Sequence, residues 1–184
     1  MPEGALMRQV LVRTFAALTL PIPALASQGR GGPGAVSPVA HVFARTAGVE
    51  LKAYVFSPEG LGTGPPRAGI VLFHGGGWSL GEPAWAFGRA RHFAERGMVA
   101  VAAQYRLSDE KETTPLDAMD DARAAIRWVR SHAADLGVDP RRIAAYGWSA
   151  GAHLAVCAAL FDRATAGRAV SSAPSALVLV SPAV

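Results

Sequence analysis

Apolar positions along this chain cluster into short blocks whose spacing switches between two periods. Val39 to Thr46 and Val49 to Ser57 are rich in Val, Tyr and Phe and flank Ala47-Gly48. β-Branched and aromatic residues on either side of a two-residue turn predict an antiparallel hairpin. Ala68 to Phe73 is a short unbroken apolar run, the pattern of a strand buried on both faces, and it stops at His74-Gly75-Gly76-Gly77-Trp78, where a loop is predicted. Beyond it the pattern predicts a helix near Trp85 to Arg96, a strand from Val99 to Tyr105, and a helix from Pro115 to Leu136. A strand from Ile143 to Tyr146, a helix from Ala150 to Phe161 and a strand from Ala176 to Val180 complete the series. Such alternation of strand and helix predicts an α/β fold, a mostly parallel sheet with crossover helices.

The longest helix is also legible in its spacing. Leu116, Met119, Ala122, Ile126, Val129 and Ala133 recur at intervals of three and four, which predicts a core face. Asp117, Asp120, Asp121, Arg123, Arg127 and Arg130 occupy the other positions and are expected on a solvated face, with no chemistry assigned to the carboxylates. Thr114, Pro115 and Asp117 predict an N-cap, a first-turn proline and an acid near the positive end of the helix dipole. Asp139-Pro140 is expected to break the chain before the next strand.

The amino terminus follows a different logic. Arg8 and Arg13 precede an apolar stretch from Thr14 to Ala26 that ends in Ala24-Leu25-Ala26, the order of a secretory signal. Residues 1–26 are therefore expected to be cleaved after Ala26 and the protein to be secreted or periplasmic. The apolar part is shorter than the roughly 20 residues a membrane helix needs, so no stable span is expected. Gly- and Pro-rich residues 27–38 read as a linker, and residues 39–184 as one domain.

Charge and cysteine content narrow the function classes. Eighteen Lys and Arg against 14 Asp and Glu give +4, but the cations are scattered, and only Lys52 and Lys111 are lysines. That distribution is not a nucleic-acid surface. Cys157 is the single cysteine, and with no tight His cluster there is no metal-ligand spacing; it reads as a small apolar core residue.

Two motifs carry chemistry. Gly147-Trp148-Ser149-Ala150-Gly151 lies between a predicted strand and an Ala-rich helix. In that context glycines allow a sharp turn that lifts a serine hydroxyl above the sheet at a helix N-terminus. The glycine run after His74 ends another strand, where its backbone N–H groups can bind the oxyanion formed when an ester carbonyl is attacked. Both predicted loops lie at the C-terminal ends of strands, the ligand side of an open α/β sheet.

Together with Tyr105-Arg106-Leu107, Asp139-Pro140-Arg141-Arg142-Ile143 and Gly147 to Leu154, the His74 to Trp78 loop resembles the α/β-hydrolases of the hormone-sensitive-lipase-like esterase group. The resemblance runs from about Val39 to Val184. It implies hydrolysis of carboxylic esters, with a small-molecule ester such as an acetylated sugar as partner and no cofactor. It also implies that Ser149 is the nucleophile, that the N–H groups of Gly76, Gly77 and Ala150 form the oxyanion hole, and that His74 braces the loop. Gln104 stands where the family often has Asp, and Trp148 where an acidic residue is commoner. A Gly-Trp-Ser elbow also resembles some prolyl-oligopeptidase-type peptidases.

In this fold the catalytic residues follow the chain order Ser, Asp or Glu, His. After Ser149 the sequence offers only His153 and Asp162, and no His follows that Asp. His153 belongs to the helix that Ser149 opens and is expected to pack or brace a loop, while His41, His92 and His132 lie in early elements. The domain is therefore expected to be truncated after about the sixth strand, without its acid and base and with little turnover. Its last apolar strand would be uncovered and the chain poorly soluble. The alternatives are a non-catalytic α/β-hydrolase-like binding protein and a serine peptidase.

Overall fold

The computed structural model describes residues 36–108, 112–162 and 170–183. These belong to the second of two units into which the chain divides, Gly31–Val184. The segment expected to be a signal, residues 1–26, and the part of the expected linker before residue 36 lie outside the described residues.

Six strands form one sheet in the order β1-β2-β4-β3-β5-β6. Strands β1 (Val39–Thr46) and β2 (Val49–Phe56) make the predicted hairpin. Ala47 and Gly48 have φ of 47° and 75°, the two left-handed residues of a tight turn that matches strand twist. β2 pairs antiparallel with β4 (Val99–Ala103), whereas β3 (Arg67–Phe73), β4, β5 (Val138–Trp148) and β6 (Ala176–Val180) run parallel.

The unbroken apolar run of β3 has the predicted cause. Ile70 and Leu72 pack on one face with Ala86, Ala90 and Ala94, the last two from α1 (Phe87–Ala94). Val71 and Phe73 pack on the other face with Ala122, Ile126 and Val129 of α2 (Pro115–Ser131) and with Leu154, Ala155 and Ala158 of α3 (Ala150–Leu160). Alanine-rich faces let the helices lie close on the sheet.

Four expectations are corrected. The helix predicted over Trp85 to Arg96 is a 3-10 turn, Pro83–Ala86, followed by α1. The helix expected to reach Leu136 ends at Ser131; successive turns lead from it to Gly137, whose φ of 64° reverses the chain into β5. Asp139-Pro140 does not break the chain but lies inside β5. The register shifts there between Arg67 and Gly69 of β3, so a bulge absorbs the proline's missing donor. On α2 the roles of two residues are exchanged: Leu116 is 68% exposed and Asp121 only 3%. The N-terminus of α2 has the predicted N-cap, proline and acid, and the structure adds a capping box in which the Thr114 N–H and hydroxyl both donate to Asp117 Oδ2 at 2.8 Å.

Asp162, just past α3, closes a polar cluster with Arg127 of α2 and the segment that leads into β6. It accepts hydrogen bonds from the Ser171 and Ser172 hydroxyls, the Ser172 N–H and Arg127. Burial pulls its carboxyl upward, but those donors outweigh it and hold the group well below the usual carboxylate range. A depressed folded pKa contributes stability above the unfolded value of about 3.9 that is lost as pH falls through the folded value. Asp162→Asn is therefore expected to lower Tm at pH 7, with the gap to the parent chain narrowing below about pH 4. Melting curves at both pH values check this, and a gap that is constant with pH would contradict it.

At the far edge, Leu177, Val178, Leu179 and Val180 of β6 are each about 40% exposed. Among the described residues no helix is long and apolar enough to cross a membrane.

Candidate active site

The predicted elbow is a real change of direction. Ser149 follows β5 and immediately precedes α3, with φ 50° and ψ −124°, a conformation rarely taken by a residue with a Cβ. The strain is held in place from two sides: the Ser149 N–H donates to Val180 O at 3.0 Å, and Ser149 O accepts from Ala152 and His153. The serine side chain makes no capping bond to the helix, so its hydroxyl is not consumed by the turn.

Gly151 explains why the motif ends in glycine. A Cβ there would lie 2.2 Å from Phe73 O and 2.4 Å from His74 O, so the first turn of α3 sits directly against the end of β3. Phe73 is also the register partner of Gly147. The serine turn and the glycine loop are thus adjacent because parallel strands β3 and β5 end side by side.

The loop itself is a tight turn. Gly76 has φ 127° and its carbonyl accepts from the N–H groups of Ser79 and Leu80, while Gly77 and Trp78 have φ 60° and 62°. Among the described residues, the N–H groups of Gly76 and Gly77 donate to no carbonyl. Ala150 is the first residue of α3, where an N–H has no acceptor within the helix. Three donors therefore stand unused near one serine.

His74, only 1% exposed, anchors the start of this loop. Its Nδ1 lies 2.7 Å from Gly75 O, and a carbonyl can only accept, so Nδ1 carries the proton. The Tyr105 hydroxyl then donates to His74 O at 2.9 Å, and the two rings stack at 4.3 Å. Burial holds the imidazole pKa below its ordinary value against the opposing pull of Gly75 and Glu82, leaving the ring neutral at pH 7. Burial likewise pushes the Tyr105 phenol upward, so it keeps the proton it donates.

Arg106, the next residue, forks onto Asp121 of α2 through Nε at 2.8 Å and Nη2 at 2.9 Å, and its own N–H donates to the same carboxylate at 3.0 Å. This pair is what the spacing of α2 concealed: Asp121 faces inward because a buried guanidinium meets it there. Gln104 supports the same region, its Oε1 accepting from the Lys52 N–H at 3.1 Å. Trp148 packs against Gly75, and the Arg89 guanidinium lies 4.8 Å above its ring.

The five histidines are all engaged elsewhere. His153 stands edge-on to Trp78 with its Nε2 3.5 Å from Cys157 Sγ. His41 and His132 pack on Trp128, and His92 contacts Arg96. Cys157 is buried, which raises its thiol pKa. Among the described residues no group of three His, Cys, Asp or Glu side chains could hold a metal ion.

Sheet order, elbow and loop define the chain as an α/β-hydrolase of the hormone-sensitive-lipase-like esterase group. Within that class it belongs to the family described as BD-FAE, which matches residues 57–173. The carboxylesterase NlhH of Mycobacterium tuberculosis is 42% identical over 100 residues, 53% of this chain and 30% of that protein. The isoprenylcysteine alpha-carbonyl methylesterase ICME of Arabidopsis thaliana is 36% identical over 96 residues, 52% of this chain and 22% of that one. A thermophilic esterase of Thermogutta terrifontis superposes with a TM-score of 0.74 at 40% identity, covering 82% of this chain and 56% of that one. The chain thus spans about half the length of the solved esterase and under a third of the two curated relatives.

Proposed function

We propose that this chain supplies the nucleophile and the oxyanion hole of a serine esterase acting on small carboxylic esters. The observation that carries this is the strained Ser149, free of its own helix cap and adjacent to a glycine loop whose N–H groups have no internal acceptor. Ser149 Oγ attacks the ester carbonyl carbon, and the π electrons move to the carbonyl oxygen. The N–H groups of Gly76, Gly77 and Ala150 hold that oxyanion. Its collapse expels the alcohol part, which takes up the proton that the base removed from Ser149, and leaves an acyl-serine; water then cleaves it to the carboxylic acid and restores the serine hydroxyl. His74 takes no part in proton transfer; it braces the loop.

The hydroxyl proton needs a base, and the described histidines are held by other partners. The proposal takes the base and its orienting acid from outside the described residues and expects the 184-residue chain alone to turn over esters slowly. Short acyl esters, acetylated sugars among them, are the proposed substrates; the Thermogutta esterase is described with propionate and with butyrate bound.

That esterase is also described as phosphorylated by paraoxon, which suggests the test. Incubation of this chain with paraoxon is expected to add one phosphoryl group, located on Ser149 by peptide mass spectrometry and missing from Ser149→Ala. Imidazole supplied as an external base should accelerate the labelling. A parent chain that stays unlabelled with imidazole present would leave the non-catalytic binding protein as the better account.

A further inference from the structure

Resting on the esterase assignment of Ser149 and the loop amides, we propose that Tyr105 and Arg106 are positioning residues for the oxyanion hole. The segment Tyr105–Ser108 clasps the glycine loop at both ends, and Arg106 fixes that segment to α2. The Tyr105 hydroxyl donates to His74 O at 2.9 Å, on the residue before the glycines. The Ser108 N–H donates to Trp78 O at 2.7 Å, on the residue after them. Glycines have wide conformational freedom, so the direction of the N–H groups between these two anchors follows from where the anchors are held.

Arg106 stands between the two anchors. A guanidinium that meets a carboxylate through two parallel bonds fixes angle as well as distance, and the third bond from the Arg106 N–H ties the backbone of the segment to the same Asp121. Asp121 is carried by α2, which packs on β3 and α3 through the core. The glycine loop is in this way referenced to the same helical layer that carries Ser149. A cavity of about 110 Å³, lined by His74, Gly81, Tyr105 and Arg106 among others, adjoins the clasp. Packing and hydrogen bonds share the placement of the loop's anchor, since a Cβ at Gly81 would already lie 2.5 Å from His74 Nδ1.

Precise placement matters because oxyanion donors act only within about 2.7 to 3.1 Å of the developing charge. Displacements of about 1 Å can cost on the order of 100-fold in rate. The test is the rate at which paraoxon phosphorylates Ser149, followed by mass spectrometry alongside Tm. Tyr105→Phe keeps the ring stacked on His74 and removes only the hydroxyl; it is expected to slow labelling about five- to tenfold. Arg106→Lys keeps the charge but loses the fork and is expected to slow labelling at least as much. Ile126→Val, in the core of α2 and away from the clasp, should lower Tm without slowing labelling.

Parent-like labelling rates in both clasp variants, or equal slowing in Ile126→Val, would overturn the proposal. So would failure of both clasp variants to fold, since the pair would then be holding the domain rather than the loop. Failure of the esterase assignment is read separately, as undiminished label incorporation by Ser149→Ala.

Discussion

Gly151→Ala is expected to destabilise the domain by about 3 kcal/mol or more, enough to abolish cooperative unfolding at 37 °C in a marginally stable chain. The added methyl group would lie 2.2 Å from Phe73 O and 2.4 Å from His74 O. Both obstacles are backbone atoms, so no side chain can rotate away. Relief requires α3 to lift from β3, which would open the contacts of Leu154, Ala155 and Ala158 with the sheet. Overpacking in a close-packed interior costs 1 to 3 kcal/mol when side chains can yield, and about the top of that range or beyond when they cannot. Urea unfolding followed by far-UV circular dichroism checks the expectation, and a midpoint equal to that of the parent chain would refute it.

The second large effect is expected at Gly76. Its φ of 127° lies outside the range open to residues with a side chain, and a Cβ there would lie 2.1 Å from Leu80 O. Leu80 is also the residue whose N–H closes the turn onto Gly76 O at 2.9 Å. Gly76→Ala must open that turn, and with it the N–H groups assigned to the oxyanion. Losing one such donor typically costs about 100- to 1000-fold in rate. Phosphorylation of Ser149 is accordingly expected to slow by roughly that factor while the far-UV spectrum stays close to the parent's. Gly88→Ala is the control: it lies in α1 with nothing within 4 Å of an added Cβ, so helix propensity should rise and labelling should not change. Labelling of Gly76→Ala at the parent rate would remove the loop from the mechanism.

The two glycines differ in how far they could be foreseen. Gly151 belongs to a motif whose chemistry demands a strand, a turn and a helix in that order, and all three were visible in the hydrophobic pattern around Ser149. The glycine run after His74 was equally visible because it ends an unbroken apolar strand. Asp121 was not. Helical spacing assigns a face by counting neighbours along one element, and it placed Asp121 in solvent beside Asp117 and Asp120. Its true partner, Arg106, comes from the segment after β4, so nothing within α2 could announce it. Leu116 failed in the same way: its apolar character fitted the core stripe, but it stands in the first turn of α2, where the sheet no longer covers it. Asp139-Pro140 read locally as a strand breaker, yet a bulge beside β3 kept it in the strand.

Local chemistry along the chain determined the element types, the hairpin, the N-cap at Thr114 and the placement of Ser149 and its flanking glycines between a strand and a helix, because each depends on neighbours a few positions away. Tertiary structure alone decided which loops meet. β3 and β5 are adjacent although β4 lies between them in the chain, and that ordering sets the Phe73 carbonyl against Gly151 and the glycine loop beside Ser149. It also decided that Tyr105, Arg106 and Asp121 form one connected support. Side-chain pairing between elements far apart in the chain leaves no periodic trace, since its energy comes from burial and geometry that exist only after the sheet has formed.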